Sequence, residues 1–248
     1  MAALIDIEID QKIKNIHELT FFLKSLQLPT SHELENIYFI TQQLRKNTSD
    51  KTLKSLIKNC LLFQLESLRQ EKKSTKEELK NITWNKCGYS FLLSRMLLKH
   101  TSTKREEELC YQYGGIGQLG DDILDIYDDK KEGIETLPHI LNNKELEKLY
   151  MDELYILFRN MQGLPYKSKN IRKAARKLCI VTAIPLVQLD LLKQNNIETG
   201  KAFSIENKKR ENTICDMQKL STITLCFHKA VNMYKLFINL KKLSLPTK

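Results

Sequence analysis

The residues in this chain best suited to do chemistry lie in one segment, Tyr113 to Pro138, YGGIGQLGDDILDIYDDKKEGIETLP. Four of the eight glycines (Gly114, Gly115, Gly117, Gly120) fall within seven residues, and five aspartates (Asp121, Asp122, Asp125, Asp128, Asp129) fall within the next nine. On a helix the five carboxylates share an arc of about 120°, with Gln118 and Gly114 inside it. Ile116, Leu119, Ile123, Ile126 and Tyr127 take the opposite side. One face packs, and the other is a ladder of carboxylates about 12 Å long. Like charges at i,i+4 destabilise a helix, and the macrodipole disfavours negative charge at a helix C-terminal end. Hard divalent cations such as Mg2+, which take carboxylate oxygens, offset both costs. The glycines leave helix backbone bare just before the ladder, where a large ligand can lie. An EF-hand is excluded, because counting from Asp121 puts Ile123 and Ile126 where that loop needs an acid and a glycine.

These residues carry a family resemblance. Asp121 to Asp125, DDILD, preceded by Gln118, resembles the second aspartate-rich motif of trans-prenyl diphosphate synthases. The longer frame Asp121, Asp125, Asp129, with Gly133 and Leu137-Pro138, is similar to the second motif of squalene and phytoene synthases. Both belong to the class I isoprenoid synthase fold. The resemblance covers about 25 residues. It implies an all-α single-domain bundle over 1–248 around a central cavity, in which an allylic prenyl diphosphate is ionised and pyrophosphate leaves. It implies Mg2+, three ions with the bound diphosphate, on Asp121, Asp122, Asp125 and Asp129, with Asp121 and Asp125 catalytic. Condensation and cyclisation both stay open.

The family carries a first acidic motif on another helix. Asp6 and Asp10, in Asp6-Ile-Glu8-Ile-Asp10, have its i,i+4 spacing and are the candidate second half of the metal site. The family has helices before that motif, so the resemblance implies either a start inside the fold or a missing first motif. The alternative readings are a helical protein that keeps the fold and has lost the chemistry, and a basic, nucleic-acid-binding helical protein. Electrostatic stabilisation of the leaving diphosphate needs cations as well as metal. The candidates for diphosphate and substrate are Lys86, Arg95, Gln118, Gly114, Gly115 and Lys130.

The elements that must position these residues are helices. Glycine and proline together supply thirteen of 248 positions, too few for the turns of an all-β chain. Apolar residues at spacings of 3 and 4 predict helices over Ile9 to Leu26 and Leu53 to Leu68, and a further helix begins near Thr30. A helix is expected from Trp84 to His100, and one long helix from Thr103 to Asp129. Lys130 to Asn143 reads as an ordered loop, and Lys201 to Asn212 as a polar, mobile one. Three more helices are expected beyond Asn143, broken near Gly163-Leu-Pro165 and Gln194 to Gly200.

The net charge is +10, which points to anionic partners: phosphorylated small molecules, nucleic acid or an acidic membrane surface. No nucleic-acid motif is present, and an acidic ladder repels phosphates, so a nucleic-acid partner is not expected. Arg172, Lys173, Arg176 and Lys177 form a basic helical face, and peripheral membrane contact and a homodimer are compatible with the reading. The six cysteines form no CxxC pair and are expected to be reduced in a cytoplasmic protein. Acidic residues interrupt the only early apolar run, so no signal peptide is expected there.

Overall fold

The computed structural model describes residues 49–68, 70, 74–98, 100–206 and 209–243. Among them the protein is all-helical, with no strand. Asp6 and Asp10 lie outside the described residues, as do the two helices expected before residue 47. The described helices are α1 (Asp50–Ser67), α2 (Lys76–Arg95), α3 (Lys104–Leu124), α4 (Ile126–Glu132), α5 (Leu137–Ile140), α6 (Asn143–Gln162), α7 (Ser168–Gln194) and α8 (Leu220–Leu243). Contacts sort the chain into two compact units. One holds α1 and Asn81–Gly115, the other Gln70–Lys80 and the chain from Ile116 onward.

In the first unit, α1 buries Leu53, Ile57, Leu61 and Leu65 in a cluster with Leu93 and Met96. Leu68, expected on that face, lies past the helix end and is exposed. The next helix starts eight residues earlier than Trp84, at Lys76. The cause is local. Thr75 and Glu78 cap each other, with the Thr75 amide donating to Glu78 Oε2 at 2.7 Å and the Glu78 amide to Thr75 Oγ1 at 3.2 Å. Thr103 and Glu106 repeat this device at the expected start of α3. Glu106 also takes the guanidinium of Arg95 at 3.4 Å, joining the end of α2 to the start of α3.

The second unit packs the C-terminal part of α3 with α6, α7 and α8. Ile116, Leu119 and Ile123 of α3 and Ile126 of α4 are fully buried, which bears out the apolar side of the acidic segment; Tyr127 is half-buried. Leu154, Leu157 and Phe158 fill the inward face of α6, and Phe158 meets Phe237 of α8 edge-on at 5.6 Å. Pro185 sits inside α7 without ending it. The Tyr150 hydroxyl donates to the Thr182 carbonyl in the turn before that proline, and Gly120 leaves room for the proline ring.

The three long helices after Asn143 form where expected. Two other boundaries differ. The helix expected to run unbroken to Asp129 bends at Asp125, whose ψ of 10° closes α3 and opens α4. The expected loop from Lys130 to Asn143 is largely helical. Gly133 at φ 78° ends α4 in the left-handed conformation that glycine adopts without strain, and α5 follows after three extended or irregular residues, Ile134 to Thr136.

Candidate functional site

The carboxylate row stands on the last turns of α3 and on α4, both in the second unit. Hydrogen bonds continue through the bend, from the Asp125 amide to the Asp121 carbonyl at 2.9 Å and from the Asp129 amide to the Asp125 carbonyl at 2.8 Å. The row therefore keeps close to its helical order. Asp121 and Asp125 are exposed, Asp128 and Asp129 half-buried, and Asp122 buried. Asp122 accepts a hydrogen bond from the Gln118 amide at 2.8 Å, so Gln118 holds one carboxylate of the row in place.

Burial and neighbouring charges raise the cost of ionising two members of the row, Asp125 and Asp129. Partial burial, then the Asp121 and Asp128 charges, push the Asp125 carboxyl up. Asp129 is pushed up to about 7 by burial first, then by Asp122 and Asp125. Asp128 goes the other way, because the Arg210 guanidinium grips it as a fork: Nε to Oδ1 at 2.9 Å and Nη2 to Oδ2 at 2.6 Å. Thr136 Oγ1 lies 3.4 Å from Asp129 Oδ2.

A clasp behind the row fixes α4. The Thr136 amide donates to His139 Nδ1 at 3.0 Å, so the ring proton sits on Nε2, which donates to the Ile126 carbonyl at 2.9 Å. His139 is buried and its basicity falls to about 4, because desolvation opposes a charge there. The imidazole is therefore a neutral structural tie and has no ring nitrogen left for a metal. Lys130, half-buried on α4, adds its charge to the same effect.

The glycine run divides. Gly114 admits the backbone of α2: an added Cβ would stand 2.4 Å from the Cys87 carbonyl oxygen. At Gly115 it would meet the Trp84 indole at 2.6 Å. These two positions serve helix packing. At Gly117 an added Cβ would meet nothing within 4 Å, and by helical spacing this bare position shares the carboxylate face. Arg95 is engaged by Glu106 and donates to the His100 carbonyl at 3.0 Å, so its guanidinium braces the first unit. Lys86 is half-buried on α2, in that same unit.

The exposed carboxylates of the row are Asp121 and Asp125. Among the described residues no three His, Cys, Asp or Glu side chains converge as an all-protein cage would require. Mg2+ is commonly held by one or two carboxylates together with substrate phosphate oxygens, a mode that needs no all-protein cage. A cleft of about 700 Å3 in the second unit is lined by Asn142, Lys144, Lys193 and Asn196 among others and contains none of the expected site residues.

Sequence reasoning missed the clasp and the fork. Thr136-Leu-Pro-His139 has the spacing of a capping box, with histidine in the place of Glu or Gln, and was legible on that ground. Arg210 lies 82 residues from Asp128, and nothing in the spacing points to it. It also belongs to the segment expected to be mobile, yet it is held by this fork. Compared with known proteins, the chain matches no family model, no curated protein and no solved structure.

Proposed function

We propose that the protein is a Mg2+-dependent class I isoprenoid synthase acting on an allylic prenyl diphosphate. One observation carries the reading: Asp121, Asp122, Asp125 and Asp129 follow one another along one helical row, where burial first, and then the charges of Asp122 and Asp125, push Asp129 up to about 7. That excess of negative potential suits a cation brought in with a substrate. Asp121 and Asp125, the two exposed members, would hold Mg2+. Bound there, the metal supplies positive charge to the departing diphosphate oxygens. Gln118 keeps Asp122 turned along the row, Gly117 leaves the helix wall low, and Lys130 adds a cation at the far end. The His139 clasp keeps α4 in register while charge moves at its surface.

A second reading has its own support. Arg210 already places a guanidinium on Asp128. An internal cation on the row is what a chain that kept the fold and lost the metal would carry.

One assay separates the two. The protein is incubated with Mg2+ and farnesyl or geranylgeranyl diphosphate, and pyrophosphate release is followed. The synthase reading expects release that falls about 100-fold or more in Asp125→Ala, as when a main electrostatic stabiliser is removed. No release by the wild type, or release that the substitution leaves unchanged, rejects it.

A further inference from the structure

Between Glu153 and Asp190 the chain has thirty-six residues with seven lysines and arginines and no carboxylate. Five of the seven, Lys169, Arg172, Lys173, Arg176 and Lys177, lie on the N-terminal half of α7, and all five are exposed. At helical spacing they share an arc of about 140°, and the buried Ala175, Cys179 and Thr182 lie outside it. None of the five makes an ion pair among the described residues. Arg176 rests 6.0 Å from the Tyr234 ring centroid, which orients it without cancelling its charge.

This arrangement works against the helix that carries it. Lys169 and Lys173, Arg172 and Arg176, and Lys173 and Lys177 are like-charge i,i+4 pairs. They also sit at the positive end of the helix dipole, where α7 has no acid in its first turn and no side-chain cap. An external anion relieves both the repulsion and the dipole penalty. Aliphatic groups stand in the open beside them: Ile180, 56% exposed, falls inside the basic arc, and Val181, 54% exposed, about 40° beyond it. Basic side chains around exposed aliphatic ones match a bilayer interface, where phosphates lie above acyl chains. Nucleic acid matches less well, since α7 has no aromatic residue on which a base can stack.

We propose that the face of α7 from Lys169 to Val181 docks the protein on an anionic lipid bilayer. The lysines and arginines meet headgroup phosphates, and Ile180 and Val181 enter the interface. No described helix is long and apolar enough to cross a membrane, so the contact is peripheral. It requires neither metal nor prenyl diphosphate, and stands or falls apart from the proposed activity.

Vesicle flotation tests it, with the full chain and phosphatidylcholine vesicles that contain or lack phosphatidylglycerol. The wild type is expected to float only with the phosphatidylglycerol vesicles and to be released by salt. At about fivefold per basic residue, Arg172→Gln with Lys173→Gln weakens partitioning about 25-fold. Ile180→Ser weakens it several-fold and leaves the salt dependence unchanged. All three positions are exposed, and circular dichroism verifies that the variants fold. Equal flotation with pure phosphatidylcholine, flotation with neither vesicle, or wild-type flotation of both variants overturns the proposal. Capture of a single-stranded RNA oligonucleotide by protein that floats with no vesicle assigns the face to nucleic acid and likewise overturns it.

Discussion

His139 shows how one side chain can set the acid limit of a fold. Its folded-state basicity is depressed to about 4 from an ordinary 6.5. The unfolded chain therefore takes up a proton, between those values, that the native state refuses. The stability His139 contributes is complete above 6.5 and is lost as pH falls toward 4. Chemical denaturation across that window should show a loss of at most about 3 kcal/mol, and His139→Gln should flatten it. A profile unchanged by the substitution contradicts the clasp. Residue types and spacing made the aspartate row legible, because like charges recurring on one helical face stand out against any background. They did not disclose that Asp122 is buried against Gln118 or that Asp128 belongs to Arg210. Those pairings depend on which side chains come together in three dimensions, and for Arg210 the chain offers no local cue.

Helices carry the next scale of the design, and their glycines separate two uses of a missing side chain. Gly114→Ala drives a methyl into the Cys87 carbonyl, which cannot swing away, and is expected to destabilise the protein by about 1–3 kcal/mol. Gly117→Ala meets open space and should stabilise the helix by about 0.5–1 kcal/mol. If a prenyl diphosphate lies along that wall, the same Gly117→Ala lowers catalytic efficiency as it raises the thermal midpoint. Calorimetry beside the pyrophosphate assay reads both. A gain in stability with undiminished activity removes Gly117 from the site. Apolar periodicity located the long helices well, because burial of one face decides them. Boundaries were less legible where polar caps decide. Thr75 with Glu78 starts α2 inside a stretch that composition alone marks as solvated and charged.

At the scale of the whole molecule, scarcity of glycine and proline together with apolar spacings of 3 and 4 was enough to predict an all-α chain, and the described residues bear that out. The same economy governs the thiols. Cys60, Cys179 and Cys226 are buried, Cys87, Cys110 and Cys215 half-buried, and none is in a disulfide. Burial pushes the Cys179 and Cys215 thiols up to about 12, far from the reactive thiolate. Native alkylation followed by mass spectrometry should leave Cys60, Cys179 and Cys226 unmodified until denaturant is added. Rapid labelling of Cys179 in the native protein contradicts this packing. The α4 segment has a mechanical consequence of its own. It is anchored at its first residue by His139 and gripped on its outer side by Arg210, so its seven residues behave as a splint between two fastenings. Lengthening the stretch between Gly133 and Thr136 would slacken the inner fastening and re-aim Asp128 and Asp129 together, without altering either aspartate.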